Sequence, residues 1–163
     1  SGILKVRSNG EQCIMDFPTD QISQQNPPDE IIKSIGIRPE SSWKGKEDFM
    51  LVYAEQAIIE TIKPDFKALA GSTGRGVIVT APGKEVDFVS RFFAPQAGID
   101  EDPVTGSAHT TLTPYWSERL NKKKLTARQI SKRGGAVFCN YMNQRVEISG
   151  SAKTYMTGEI SLP

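Results

Sequence analysis

Residues 98–120 read GIDEDPVTGSAHTTLTPYWSERL, a stretch that places acidic residues, a turn and small residues directly before an amphipathic segment. Apolar side chains recur in that segment at helical spacing, namely Ala108, Leu112, Tyr115 with Trp116, and Leu120. The spacing predicts a helix over residues 106–120 whose apolar face is buried. Pro114 lies inside the pattern, so we expect it to kink the helix or to remove one backbone hydrogen bond.

The start of this helix has the features of an anion site. The backbone N–H groups of Gly106 and Ser107 would lie at the helix N-terminus, where unpaired amides and the helix dipole attract a carboxylate or a phosphate. Gly106 would let such a ligand approach the backbone closely. Glu101 and Asp102 place carboxylates where an anionic ligand would arrive, which suggests that one of them handles protons.

Parts of this motif have a structural alternative. Asp102 or Thr105 can simply cap the helix, which is the commoner task of such residues before a helix. His109 is the only histidine of the chain, and it either packs and hydrogen-bonds inside the protein or faces the ligand. The sequence leaves both alternatives open.

The segment SRFFAPQAGIDEDPVTGSAHTTLTPYWSERL (residues 90–120) resembles the phenazine-biosynthesis-like isomerase family, which is related by fold to diaminopimelate epimerase. Further pieces are similar to the same family: SGILKV (residues 1–6), GRGVIVT (74–80) and RGG (133–135), the last followed by the strand-like residues 146–148. The resemblance therefore extends over the whole chain.

Members of this family are built from two similar halves that face each other across a cleft. The resemblance implies that residues 1–163 are a single domain equivalent to the second, C-terminal half, with a curved sheet or barrel wrapped around one central helix. In such proteins the first half supplies a glutamate that acts as the proton shuttle and a Gly-His-Ala-Thr type turn. We find neither in this sequence.

Residue by residue, the resemblance implies a catalytic role for Asp102 as an acidic cleft residue and for Ser107 as a hydroxyl that holds the substrate or relays a proton. Thr105, Gly106 and Ser107 would bind the substrate, and His109 matches a further position of the family's motif. The implied activity is that of a cofactor-independent isomerase, which moves a proton on a small carboxylate-bearing substrate with no metal and no organic cofactor.

A second hypothesis belongs to another class of protein. The chain would then be a non-catalytic module that binds a small anion through Gly106 and Ser107, or a half that serves dimerisation. The expected partners are a small carboxylate-bearing substrate and the missing N-terminal half of the same protein, and a homodimer is compatible with either hypothesis.

The charge balance argues against nucleic acid as a partner. Twenty Lys and Arg residues against 19 Asp and Glu give a net charge of +1, without the basic surface that nucleic-acid binding requires. One basic cluster stands out: Lys122-Lys123-Lys124, followed by Arg128, Lys132 and Arg133. It is typical of a solvated loop, and only strongly salt-dependent DNA or RNA binding would support the alternative.

The cysteine content and the hydropathy indicate a cytoplasmic protein. Cys13 and Cys139 both lie in strand-like sequence, which supports neither a disulfide framework nor a zinc site. No stretch approaches the roughly 20 apolar residues that span a bilayer, and no charged-then-apolar leader opens the chain. We therefore expect no membrane partner.

The rest of the chain predicts short strands around one principal helix. Asn9-Gly10 between two alternating runs predicts an opening hairpin, and the polar stretch 19–28 predicts a surface loop. The remaining predicted elements are strands at 47–54, 76–81, 86–93, 128–133, 136–141, 145–149 and 155–160, short helices at 29–34 and 65–70, and an extended or helical piece at 56–62. Without βαβ alternation, the predicted class is α+β with a largely antiparallel or mixed sheet.

The glycine-rich loop at residues 71–76 invites comparison with phosphate-binding loops. It lacks the Gly-Lys-Ser/Thr signature, and a strand follows it where a phosphate-binding loop opens a helix. A connecting turn is therefore the favoured interpretation.

Overall fold

A computed structural model of the chain describes residues 5–10, 12–72, 74–152 and 154–161. Within them one sheet is formed by eleven strands: β1 (Lys5–Asn9), β2 (Gln12–Pro18), β3 (Ser23–Gln24), β4 (Ser41–Lys44), β5 (Phe49–Val52), β6 (Val77–Pro82), β7 (Phe88–Ala94), β8 (Ile99–Glu101), β9 (Lys124–Gln129), β10 (Gly135–Tyr141) and β11 (Arg145–Ser151).

The same residues form four α-helices: α1 (Asp29–Ile35), α2 (Gln56–Thr61), α3 (Phe66–Ala70) and α4 (Ala108–Leu120). Local sequence explains where they begin and end. The Asp65 carboxylate caps α3 by accepting from the Ala68 amide at 3.0 Å. Gly36 and Asn121 end α1 and α4 in the left-handed conformation, with φ of 81° and 48°. Within the described part of the chain, no helix has the length and apolar character that a bilayer crossing needs.

The sheet is mixed and mostly antiparallel, which confirms the predicted α+β class. Its strand order is β1-β2-β11-β10-β9-β7-β6-β5-β4-β3, and β8 pairs with β7 beside this path. Only the β5–β6 and β7–β9 pairs are parallel among the described strands. The two edges, β1 and β3, do not pair with each other, so the sheet is curved but not closed by hydrogen bonds.

Helix α4 lies against the inner face of this curved sheet. Its buried side chains belong to one core with residues of β5, β6, β7, β9, β10 and β11. Trp116 is at the centre: its ring stacks on Phe88 with 5.6 Å between centroids, and its Nε1–H donates to Thr80 Oγ1 at 3.0 Å. The predicted arrangement, a curved sheet around one central helix, is therefore confirmed.

A short link spans the opening between β2 and β3. The Asp20 amide donates to the Thr110 carbonyl of α4 at 3.2 Å, and the Asp20 carboxylate accepts from the Thr111 hydroxyl at 2.8 Å and from the Lys46 amide at 3.1 Å. The segment that connects β2 to β3 is thereby hydrogen-bonded to α4 through Asp20.

The three short helices cover the other face of β5, β6 and β7. A second core joins them to the sheet, and its buried members include Ile31, Ile35, Ile59, Leu69, Leu51, Val79 and Phe93. The central strands are therefore buried on both faces, which explains why β5 and β6 are almost entirely apolar.

Some predicted elements differ in the structure. The strand predicted at 128–133 is wrong: β9 is Lys124–Gln129, where Leu125, Ala127 and Gln129 point inward. The lysines at the start of β9 belong to its exposed face and its leading turn, so the basic cluster is only in part a loop. Residues 154–161 form no strand, because no neighbouring strand of the described chain pairs with them.

Other differences concern short elements. The predicted loop at 19–28 contains β3, and β4 and β8 had no strong sequence signal. The piece at 56–62 is the helix α2, and the hairpin is confirmed, with Gly10 at φ 64° between β1 and β2. Ile3, Leu4 and Glu11, which belong to that prediction, lie outside the described residues. Leu120, assigned to the buried face of α4, is 40% exposed.

Candidate active site

The predicted site residues lie where β8 leads into α4. Four strands have an end at this side of the sheet: β7 and β9 finish here, and β5 and β6 begin here. The loop after β8 is held to β7 by the Asp102 amide, which donates to the Phe92 carbonyl at 3.0 Å. The N-terminus of α4 therefore opens at the rim of the sheet.

The first amides of α4 are not capped by a side chain. Ser107 occupies the N-cap position and makes no side-chain capping bond. The side chains of Asp102 and Thr105 accept from no α4 amide within the described residues, so their interpretation as helix caps is wrong. Within the described residues, the N–H groups of Gly106, Ser107 and Ala108 donate to no other atom. Such amides at a helix start are the groups that bind anions in proteins.

Nothing in the fold requires glycine at position 106. The φ of Gly106 is not in the left-handed region, and an added Cβ would meet only the Met15 Cε, at an ordinary distance of 3.7 Å. Glycine at this position therefore places no side chain next to the first amides of α4.

The carboxylate of Asp102 is held by one of its two oxygens. Its Oδ2 accepts from the Thr105 hydroxyl at 2.6 Å, and that hydroxyl in turn accepts from Gln129 Nε2 at 3.2 Å. Asp102 Oδ1 has no hydrogen-bond partner within the described residues. The half-buried carboxylate is thus oriented on one side and open on the other.

Gln129 is the residue that holds this loop together. It is completely buried, its Nε2 also donates to the Asp102 carbonyl at 2.6 Å, and its Oε1 accepts from the Thr105 amide at 2.8 Å. The sequence did not indicate it, because a glutamine in a strand normally faces solvent. The inward alternation of Leu125, Ala127 and Gln129 in β9 was the available signal.

The geometry favours the structural alternative for His109. The ring is fully buried beside Phe88, and its Nδ1 lies 2.8 Å from the Thr105 carbonyl, which makes Nδ1 the protonated nitrogen. Burial lowers the pKa of His109 to about 4, although the bond to Thr105 acts in the opposite direction. A neutral His109 therefore positions the Thr105 carbonyl from inside the protein.

Glu101, the acidic residue directly before Asp102, is paired with an arginine. Glu101 forms a two-point ion pair with Arg91, at 2.7 Å and 3.0 Å. The Arg91 guanidinium also donates to the Ile59 and Ile62 carbonyls of the α2 region. Glu101 is thus committed to a structural ion pair, whereas one carboxylate oxygen of Asp102 has no hydrogen-bond partner within the described residues.

Ser107 has a charged neighbour that the sequence did not indicate. Arg75, which comes just before β6, donates from both Nη1 and Nη2 to Ser107 Oγ at 3.2 Å. The guanidinium lies 5.5 Å from the centre of the Phe92 ring and is paired with the buried Asp48. The glycine-rich loop is therefore a connecting turn, as predicted, but one that delivers an arginine to the site.

Two grooves lie away from these residues. One, of about 850 Å³, is at the opposite end of α4 and is lined by Asp20, Glu118 and Tyr141 among others. The other, of about 530 Å³, contains Lys84, Arg128 and Arg133. Neither contains a predicted site residue. Among the described residues, no group of three or more His, Cys, Asp or Glu is arranged to hold a metal ion.

The chain thus combines a curved sheet around one helix with an oriented carboxylate and uncapped amides at the start of that helix. Residues 11–158 match the sequence profile of the family described as phenazine biosynthesis-like protein, and the chain belongs to this family. Two Pseudomonas aeruginosa proteins, both named uncharacterized isomerases, are 44% and 43% identical over 162 residues, which cover 99% of this chain. A mouse phenazine biosynthesis-like domain-containing protein is 36% identical over 181 residues.

Solved structures agree with this assignment. A phenazine biosynthesis protein of the PhzF family from Enterococcus faecalis has a TM-score of 0.88 and 41% identity, and the match covers 96% of this chain and 60% of that one. A PhzC/PhzF protein from Clostridium difficile has a TM-score of 0.87 and 37% identity, covering 98% and 61%. The chain spans 62% of the length of the two Pseudomonas relatives.

Proposed function

We propose that this chain forms one wall of the active site of a cofactor-independent isomerase that moves a proton on a small carboxylate-bearing substrate. The observation that carries the proposal is the juxtaposition, at the start of α4, of uncapped amides at Gly106 and Ser107 with a carboxylate that has one open oxygen, Asp102 Oδ1. The names of the two Pseudomonas relatives, both called isomerases, support the same class of reaction.

The amides would hold the substrate carboxylate. An anion at a helix N-terminus gains from the unpaired N–H groups and from the dipole, and Gly106 leaves room for it. Thr105 contributes by orienting Asp102, and Ser107 offers a hydroxyl beside the amides. His109 supports Thr105 from the interior and does not touch the substrate in this proposal.

Asp102 would then assist a proton transfer on the bound substrate, together with the shuttling glutamate that lies outside this chain. A proton leaves a carbon next to the acid or enol group, the electron pair delocalises into that group, and a proton returns at another carbon. The substrate is neither oxidised nor reduced overall, so the step needs no redox partner. Positioned acid–base groups of this kind typically contribute about 10²- to 10⁴-fold in rate.

The proposal includes a second wall from outside this chain. The resemblance to two-half isomerases implies that the remaining part of a longer protein supplies the glutamate that shuttles the proton. We place this protein in the cytoplasm, because Cys13 and Cys139 are both free and suit a reducing compartment.

The test uses the full-length protein that contains this chain. The protein is incubated in D2O with a panel of small carboxylic acids that carry an acidic C–H group, and deuterium incorporation is followed by proton NMR. We expect Asp102→Asn to lower incorporation by about 10²-fold or more. Asp100→Asn is the matched control, because Asp100 is exposed and has no contact in the site.

Binding is measured separately from exchange. Sodium benzoate is titrated into the same proteins, and the Gly106 and Ser107 amide signals are followed by nitrogen–proton NMR. Asp102→Asn should leave benzoate binding intact, whereas Gly106→Trp should abolish it while preserving the fold. Unchanged deuterium exchange in Asp102→Asn would contradict the catalytic role.

The alternative is a non-catalytic module that binds a small anion or dimerises. One observation favours it: the only imidazole of the chain, His109, is buried and takes no part in acid–base chemistry at the surface. Benzoate binding that is lost in Gly106→Trp, together with no deuterium exchange by any variant, would support this alternative. A homodimer would be detected by analytical ultracentrifugation of the same samples.

A further inference from the structure

Arg75 uses its guanidinium on three neighbours at once. Nε donates to Asp48 Oδ1 at 3.0 Å, Nη2 pairs with Asp48 Oδ2, and both terminal nitrogens donate to Ser107 Oγ at 3.2 Å. The flat face of the guanidinium packs on the Phe92 ring. An arginine held on two edges and one face has little freedom to turn.

The contact with Arg75 fixes the direction of the Ser107 hydroxyl proton. A serine hydroxyl has two acceptor lone pairs and one O–H to donate. The two N–H groups of Arg75 approach Ser107 Oγ from one side and occupy its acceptor side, so the O–H points away from Arg75 and is left to donate. No acceptor for this O–H exists within the described residues, and Ser107 is partly exposed beside the uncapped amides of α4.

We propose that Arg75 is a positioning residue, which donates to Ser107 Oγ from one side and thereby directs the Ser107 O–H away from itself, as a hydrogen-bond donor for the carboxylate-bearing substrate. This inference rests on the proposed function, because it assumes that an anion binds at the start of α4. It adds a donor to the two backbone amides and assigns its direction to a residue 32 positions earlier in the chain.

The charge balance supports a positioning role over direct anion binding. Arg75 faces the carboxylates of Asp48 and Glu47, the latter at 3.1 Å from Nε. Asp48 is only 4% exposed, so its charge is compensated chiefly by this arginine. A guanidinium between two carboxylates carries no surplus positive charge for a substrate, but its N–H groups still direct the serine.

The first measurement needs no ligand. In the full-length protein, the χ1 angle of Ser107 is determined from three-bond couplings of its Cβ protons by NMR. We expect a single rotamer in the unsubstituted protein and averaged couplings in Arg75→Gln. Arg75→Lys keeps a positive charge beside the buried Asp48, so it should fold even where Arg75→Gln does not. Because lysine cannot make both contacts to Ser107, this variant should also show averaged couplings.

The second measurement is a double-mutant cycle with sodium benzoate as the probe. Arg75→Lys and Ser107→Ala should each weaken benzoate binding about tenfold, the size of one charge-assisted hydrogen bond. The double variant should be no weaker than Ser107→Ala, because Arg75 acts through Ser107. Arg91→Lys is the matched control, since Arg91 makes a similar carboxylate pair with Glu101 and packs on Phe93, but has no contact with Ser107.

The outcomes separate this inference from the proposed function. A fixed Ser107 rotamer in Arg75→Lys would overturn the positioning role, and so would an additive loss in the double variant, which would mean that Arg75 contacts the anion directly. No benzoate binding by the unsubstituted protein would overturn the carboxylate site itself, and with it the donor role of Ser107. Benzoate binding by the unsubstituted protein with no effect of Arg75→Lys would overturn the Arg75 inference alone.

Discussion

The backbone amide of Asp20 donates to the carbonyl of Thr110 at 3.2 Å, in the first turn of α4. In a regular helix this carbonyl would accept from the residue four positions later, which here is Pro114, a residue without an N–H. The proline therefore leaves an acceptor inside α4, and the link between β2 and β3 uses it. The hydrogen bond that Pro114 cannot make within α4 is thus replaced by one from the segment that connects β2 to β3.

Replacing Asp20 tests this attachment to α4. Asp20→Ala keeps the backbone hydrogen bond to the Thr110 carbonyl. It removes the carboxylate that accepts from the Thr111 hydroxyl and the Lys46 amide. We expect a loss of about 2 kcal/mol in the free energy of unfolding, measured by urea denaturation. Asp100→Ala, at an exposed residue whose side chain makes no hydrogen bond within the described residues, should stay within about 0.5 kcal/mol. Equal effects of the two substitutions would refute the role of the Asp20 carboxylate in this attachment.

Removing the amide of Gln129 should destabilise the candidate site. Gln129→Leu has a similar volume but leaves the Thr105 amide and the Asp102 carbonyl without their partner. Unpaired buried groups cost about 1–3 kcal/mol each, so we expect a loss of about 2–4 kcal/mol by urea denaturation. Arg128→Ala, on the exposed face of the same strand, is the control. A loss below 1 kcal/mol for Gln129→Leu would show that the loop holds without it.

His109 predicts a pH dependence of stability. Its pKa is lowered to about 4 in the folded protein, so between pH 4 and the ordinary value of 6.5 the unfolded chain binds the proton more readily. The free energy of unfolding should therefore fall as the pH drops through this window, by on the order of 3 kcal/mol in total. His109 is the only histidine, so most of this dependence should vanish in His109→Gln. Urea titrations at pH 5 and pH 7 measure it, and a variant with the full dependence would contradict the assignment.

Two hydroxyls that face each other across the sheet should respond differently to removal. Thr80 and Ser90 are paired in the β6–β7 register and both are buried. Thr80 Oγ1 accepts from Trp116 and donates to the Val89 carbonyl, whereas Ser90 Oγ has no partner in the described structure. Thr80→Val should cost about 2 kcal/mol by thermal unfolding, and Ser90→Ala should be neutral or stabilising. The opposite order would mean that the hydrogen bonds of Thr80 contribute little.

Strong local patterns were the elements that could be predicted. The Asn-Gly turn, the apolar period of α4 and the strand-like run before it each depend on neighbours within a few residues, so they can be recognised without a fold. The sequence prediction placed β9 four residues too late in the chain, because Ala127 and Gln129 are weak markers of a buried face. The strands β3, β4 and β8 are short, and their pairing depends on partners distant in the sequence.

The candidate site divides in the same way. The sequence by itself determined the family, the α+β class and the motif with Asp102, Thr105, Gly106 and Ser107, because these residues are adjacent and their chemistry is local. Only the tertiary structure decided that Gln129 orients Asp102, that Glu101 is committed to Arg91 and that Arg75 reaches Ser107. Those contacts join residues 10 to 32 positions apart, and hydrogen-bond geometry across separate strands exists only once the sheet has curved around α4.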